Sequence, residues 1–302
     1  MQTITRHERG GAVHGPERDE LIRRLERRAR FIRRETVRLI AIAKSGHYTS
    51  VFSCAEIFAV LYDHVMRFDP AAPRWPDRDR FLMGKGHAAV GLYPLMAAVG
   101  FFPPSALDDY TRLGSAFGDH PDMRRIPGID FSSGSLGHNL SASIGMALAA
   151  RQQERDFRVF CLLGDGELNE GQCWEAAMSA PAFGLGNLVA IVDRNQLSLD
   201  GFTEEVMPIE PLADKWRAFN WDVRELDGHD LDALLNAFAG LPDPSSRKPV
   251  VLICQTIKGK GVSFMEGGRE WHLGHLAGAD YDRVMAELAD PAPSTYIEQT
   301  PL

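Results

Sequence analysis

Hydrophobic positions recur along the chain in two rhythms. From Pro16 or Glu17 to about Ala43, the residues Leu21, Leu25, Phe31, Ile32, Val37, Leu39 and Ile40 fall broadly at helical spacing. The spacing predicts a second amphipathic helix over 53–65, then a Pro-rich link through Pro70, Pro73 and Pro76. Residues 86–99 are apolar and helical in character, and Gly100 with Pro103-Pro104 closes them. Residues 136–153 predict a helix rich in Ser, Ala and Gly, whose small side chains allow close packing. Beyond 157 the rhythm becomes an alternation of short apolar runs with helical segments. Strands are predicted over 158–163, 188–193, 221–226 and 249–256, with helices over 172–182, 211–219 and 231–238. A short helix over 280–289 precedes a Pro-rich tail from Pro291. Near-continuous apolar strands alternating with helices predict an α/β fold, with a mostly parallel central sheet and helices on both faces.

Composition narrows the function classes. The net charge is −8 over 302 residues, so the chain has no overall attraction for nucleic acid or an anionic membrane. Apolar runs such as Val250 to Cys254 fall far short of the roughly 20 residues that span a bilayer. Met1 to Gly15 is polar, is expected to be a mobile tail, and lacks the apolar stretch of a signal peptide. A cytoplasmic protein is therefore expected. The cysteines Cys54, Cys161, Cys173 and Cys254 are scattered and suggest neither a disulfide framework nor a zinc site. The first helix is locally basic. A solvated or interface face laced with ion pairs is its plainer reading, against a phosphate-binding surface.

The chemistry gathers where strands end. In an open parallel sheet, ligands bind outside the carboxyl ends of the strands. Gly164-Asp165-Gly166, Asp193-Arg194-Asn195 and the Lys258 to Gly261 loop occupy three such ends. Asp165 and Asn195 offer the hard oxygen ligands that Mg²⁺ prefers, and glycines beside Asp165 would admit a phosphate close to the backbone. A lone Gly-Asp-Gly is an ordinary turn. A strand, then Gly-Asp-Gly, a helix, a strand and Asn is far more specific, and reads as a Mg²⁺-bridged diphosphate site.

Gly164-Asp165-Gly166 followed by Asn195 resembles the thiamine diphosphate signature, and residues 164–201 closely resemble transketolases. Further motifs agree in chain order: Ser45-Gly46-His47, Gly84-Lys85-Gly86-His87, Gly118-Asp119-His120-Pro121, Gly134-Ser135-Leu136-Gly137, and Lys258 to Gly261 with Trp271-His272. The resemblance implies a thiamine-diphosphate-binding fold over about 17–279, between the tail at 1–16 and the short helix and tail at 280–302. It implies Asp165, Asn195 and the Leu197 carbonyl as Mg²⁺ ligands. Gly164, Gly166 and His87 would lie near the diphosphate, Gly134 and Leu136 at the aminopyrimidine, and Leu199 at an apolar contact that bends the cofactor. His47 and His272 would serve proton transfer or substrate hydroxyls, His120 the donor hydroxyl, and Glu170 the acid near the subunit interface. His64, His229 and His275 match more weakly. Tyr48 and Asn139 depart from the family pattern beside the sugar and pyrimidine loops.

Full-length transketolases continue into a pyrimidine-binding region that supplies a cofactor-activating glutamate, and no stretch here matches it. The resemblance therefore implies the N-terminal subunit of a split transketolase. Its partner would be a C-terminal, pyrimidine-binding subunit in an α2β2 assembly, and its substrates sugars or sugar phosphates. A subunit of a 2-oxoacid dehydrogenase or deoxyxylulose-phosphate synthase type of enzyme, and a non-catalytic regulatory relative, stand as alternatives.

Overall fold

The computed structural model describes residues 6–289, so the tail from Pro291 lies outside the described residues. Helix α1 (Pro16–Ala43) starts with Pro in its first turn beside Glu17 and Asp19, and stops where Lys44 turns to φ 59°. Next come α2 (Thr49–Phe52) and α3 (Ala55–Val60), which a wider turn extends over Leu61–Val65. The predicted helix over 53–65 is thus interrupted at its start, because Cys54 leaves helical geometry. Strand β1 (Arg80–Met83) and helix α4 (Ala89–Ala98) follow, then α5 (His138–Gln152). The alternating half comprises β2 (Val159–Gly164), α6 (Gly171–Phe183), β3 (Leu188–Arg194), α7 (Thr203–Val206), α8 (Leu212–Ala218), β4 (Asp222–Asp227), α9 (Leu231–Ala239) and β5 (Val250–Gln255). Helix α10 (Ala279–Glu287) ends the described chain.

The five strands lie in the order β1-β2-β3-β5-β4, all parallel. Strand β1 went unpredicted. Four residues headed by Arg80 carry little periodicity, and pairing with β2 makes the segment a strand. Apolar on both faces, β2 divides its side chains. Phe160 and Leu162 join the core under α1, α3, α4 and α9, while Val159, Cys161 and Leu163 join the core under α5, α6 and α8. That division is the two-sided burial expected of a parallel sheet.

Ion pairs account for much of the charge on α1. Arg28 binds Asp63 at 2.7 Å, Arg33 grips both oxygens of Glu56 at 2.7 Å, and Arg18 reaches Asp232 at 2.6 Å. Residues 7–11, expected to lie in a mobile tail, rest against the body. The His7 ring stacks on Phe68 at 4.4 Å, and Gly10 N–H donates to the His64 carbonyl. Among the described residues, no helix is long and apolar enough to cross a membrane.

Candidate active site

Strand register builds the floor of the site. Gly164 pairs with Asp193, so Asp165 emerges at the carboxyl edge beside the Arg194 to Gln196 segment, which it meets through Arg194 and Gln196. The Asp165 carboxylate is buried. Oδ1 accepts from Gly166 N–H at 2.8 Å, and Oδ2 accepts from Gln196 N–H at 2.5 Å and from Arg194 at 3.1 Å. Burial, with Asp193 adding to it, raises the Asp165 carboxyl above its ordinary range despite those donors. Asn195 donates to Asp193 at 3.0 Å and turns its amide oxygen to Leu197 N–H at 3.1 Å. The Leu197 carbonyl accepts the Lys258 ammonium at 2.9 Å. Burial, and then Lys85, push Lys258 down to about 8.

Beneath this floor lies a buried network absent from the expected site. Lys85 Nζ donates to Asp193 and to the Ser50 carbonyl, and Asp193 also accepts from Ser53, Thr256 and Asn195. Lys85 and Asp193 are 3% and 0% exposed, so their charges are compensated by one another rather than by water. The signal was a lysine between two glycines and an acid closing an apolar strand. Neither pattern is distinctive without the sheet that joins them.

Glu167 was also missed. Its carboxylate accepts Gly137 N–H at 2.9 Å and Gly164 N–H at 3.0 Å, tying the Gly134 to Gly137 loop to the end of β2. Burial pushes it up to about 7. Gly84 makes room for it, since a Cβ there would lie 2.2 Å from Glu167 Oε2. Gly164 and Gly166, by contrast, have no positive φ, and an added Cβ would meet nothing closer than 3.5 Å. A side chain at either position would make only ordinary contacts, with Glu167 and Lys85 or with Ser198. Asp165, Asn195 and the Leu197 carbonyl carry hard oxygens of the kind Mg²⁺ takes, each engaged here by an N–H donor or a cation.

The histidines form a separate group. Rings of His47 and His87 lie 4.7 Å apart between centroids, His47 and His272 5.3 Å, and His87 and His272 5.7 Å. A two-way backbone bridge between Gly46 and Gly274 staples their loops, as does Leu276 N–H donating to the Tyr48 hydroxyl at 2.9 Å. Tyr48 is fully buried in this role. His87 touches the Ser50 hydroxyl at 3.2 Å. Burial is the main cause that lowers His87 well below its ordinary value and His272 to about 3; neighbouring histidines and lysines add to it. Both rings are therefore neutral at physiological pH.

His120 stands beside Gly134, and the Asn139 carboxamide accepts from Ser133 at 3.0 Å behind that loop. Glu170 is exposed at the start of α6, packed against Gly137 at the start of α5. Leu136 is half-buried, and Leu199 is exposed on the loop after β3. His229 binds Glu56 at 3.0 Å and accepts Ile257 N–H at 2.9 Å, which holds the start of the Lys258 loop.

The family described as "Transketolase, thiamine diphosphate binding domain" matches residues 25–299. An apulose-4-phosphate transketolase subunit of Phocaeicola vulgatus is 40% identical over 88% of this chain and 94% of that protein. The 6-deoxy-6-sulfo-D-fructose transketolase subunit SqwG of Clostridium sp. (strain MSTE9) is 42% identical over 87% of this chain and 96% of that protein. Among solved structures, transketolase from Leishmania mexicana superposes with a TM-score of 0.82 at 29% identity, covering 87% of this chain and 41% of that one. The chain thus spans nearly the whole of the two relatives named as subunits, and about two-fifths of the transketolase.

Proposed function

The chain belongs to the transketolase family, in its thiamine diphosphate binding domain, and on that premise we propose that it is the cofactor-diphosphate half of a two-component transketolase. One observation carries the proposal: the β2–β3 register brings Asp165 to the sheet edge against the segment after β3 that carries Asn195 and Leu197, where Lys85 and Lys258 also reach. Asp165, Asn195 and the Leu197 carbonyl would hold Mg²⁺. Gly164, Gly166 and His87 would face the diphosphate, Gly134 and Leu136 the aminopyrimidine, and Leu199 the fold of the cofactor. Thiamine diphosphate, when bound, supplies the carbon nucleophile of two-carbon ketol transfer.

The protein's own part is binding, orientation and proton movement. His87 and His272, neutral at physiological pH, can each accept or donate a hydrogen bond without burying a charge. His47 and His120 would take and return protons at ketose and aldose hydroxyls. Glu170, beside Gly137, would face a partner that brings the pyrimidine-binding half in an α2β2 assembly. The names of the two subunit relatives support a ketose or ketose-phosphate donor outside the common set. Those relatives differ in their named sugar, so the likeness does not name the sugar of this chain.

The test is complementation. The purified chain with thiamine diphosphate and Mg²⁺ is expected to transfer no ketol group alone. It should gain activity, without release of CO₂ from pyruvate, when a pyrimidine-binding subunit is added. Full activity by the chain alone, or pyruvate decarboxylation by the pair, would overturn the proposal.

A further inference from the structure

Asp119 stands between two histidines, one carboxylate oxygen toward each. Oδ1 lies 3.6 Å from His47 Nδ1, and Oδ2 lies 3.4 Å from His120 Nδ1. His47 Nδ1 is buried and has no hydrogen-bond partner. On its other side the His47 ring faces His87 and His272, which themselves lie in the field of Lys85 and Lys258. His120 faces Asp119 and the Gly134 backbone. Burial alone would raise the Asp119 carboxyl, but His47 and then His120 outweigh it and hold it below the usual carboxylate range. The group between the two rings is therefore an anion at neutral pH.

An imidazole that donates from Nδ1 to a carboxylate presents Nε2 as its acceptor, and its ring is aimed by that bond. At 3.4 and 3.6 Å the contacts are longer than good hydrogen bonds, as catalytic contacts often are before substrate closes the site. We propose that Asp119 is a positioning residue serving both His47 and His120. It holds each ring as the Nδ1–H tautomer and leaves Nε2 free to take a proton from a sugar hydroxyl. The destination of that proton rests on the ketol-transfer reading, whereas the tautomer assignment does not.

The first arm uses the full chain labelled with ¹⁵N-histidine, with tautomers read from long-range ¹H–¹⁵N correlations. His47 and His120 should show the Nδ1–H pattern. Asp119→Ala should move both toward Nε2–H, the form an unconstrained imidazole prefers, and leave His272 unchanged. Asp119→Asn keeps one accepting oxygen and should retain the Nδ1–H pattern at one ring only, its NH₂ turning the other ring toward Nε2–H. Unchanged tautomers in Asp119→Ala would overturn the proposal. The second arm adds a ketose donor and the partner subunit. Asp119→Ala should lower kcat on the order of 10- to 100-fold, with KM for thiamine diphosphate unchanged and partial rescue in Asp119→Asn. An unchanged kcat would refute the role in the reaction. If the wild-type pair transfers no ketol group, the ketol-transfer reading fails, and the first arm still decides the role of Asp119.

Discussion

Replacing Lys85 by Met removes the cation that hydrogen-bonds to Asp193. The side chain lengths are similar, so the apolar stem is kept and the charge is lost. Asp193 would retain three donors, from Ser53, Thr256 and Asn195, but as a carboxylate with no exposed surface. Breaking a buried ion pair costs about 3–5 kcal/mol, and the surviving donors place this case near ~3 kcal/mol. The pH dependence gives a sharper signature. In the wild type, Asp193 is held below its ordinary value because Lys85 and the hydrogen bonds outweigh burial. Its contribution is present above the unfolded carboxylate pKa and is lost as pH falls through the depressed folded value. Without Lys85 the largest opposing charge is gone, with Lys258 the remaining nearby cation, and the folded pKa rises above the unfolded one. The folded variant then binds more protons than the unfolded chain, so its stability falls as pH rises. Urea unfolding of both proteins between pH 5 and 8 should show a deficit that widens with pH. A deficit under ~1 kcal/mol, or one independent of pH, would refute the argument that this pair is a desolvated charge couple.

Three further expectations follow from the same geometry. Asp165→Asn should weaken the joint binding of Mg²⁺ and thiamine diphosphate by about 10- to 150-fold in calorimetry, the worth of one charge-assisted contact, while the fold persists because Arg194 keeps Glu204 and Glu210. His272, held near 3 chiefly by burial, is neutral when folded but charges when unfolded below about pH 6.5. Stability should therefore decline as pH falls from 6.5 toward 3, and His272→Gln should flatten that slope in pH-dependent melting; an unaltered slope would count against the assignment. Gly84→Ala forces a methyl onto the Glu167 carboxylate and should cost about 1–3 kcal/mol by overpacking, with slower cofactor binding as the Gly137 anchor shifts.

The layers and the chemistry of the floor were written in the order of residues along the chain. Continuous apolar runs such as those at 158–163 and 188–193 are buried on both faces by a parallel sheet. The residues that follow them are then bound to meet at one edge, so Asp165 and Asn195 were legible from their positions alone. Motif resemblance added the histidines one at a time. Pairings made across long separations were not legible in this way. Lys85 meets Asp193 because β1, too short and too polar at its start to be recognised, pairs with β2. Glu167 joins Gly137 to Gly164 because α5 and the end of β2 converge, and Gly84 leaves the room that this carboxylate occupies. Asp119 falls between His47 and His120 through loop packing that no periodicity encodes. The Lys85–Asp193 and Glu167 contacts share one cause. A buried charge is stable only beside its compensating group, and that group is chosen by what the fold brings within about 3 Å rather than by what lies nearby in the chain.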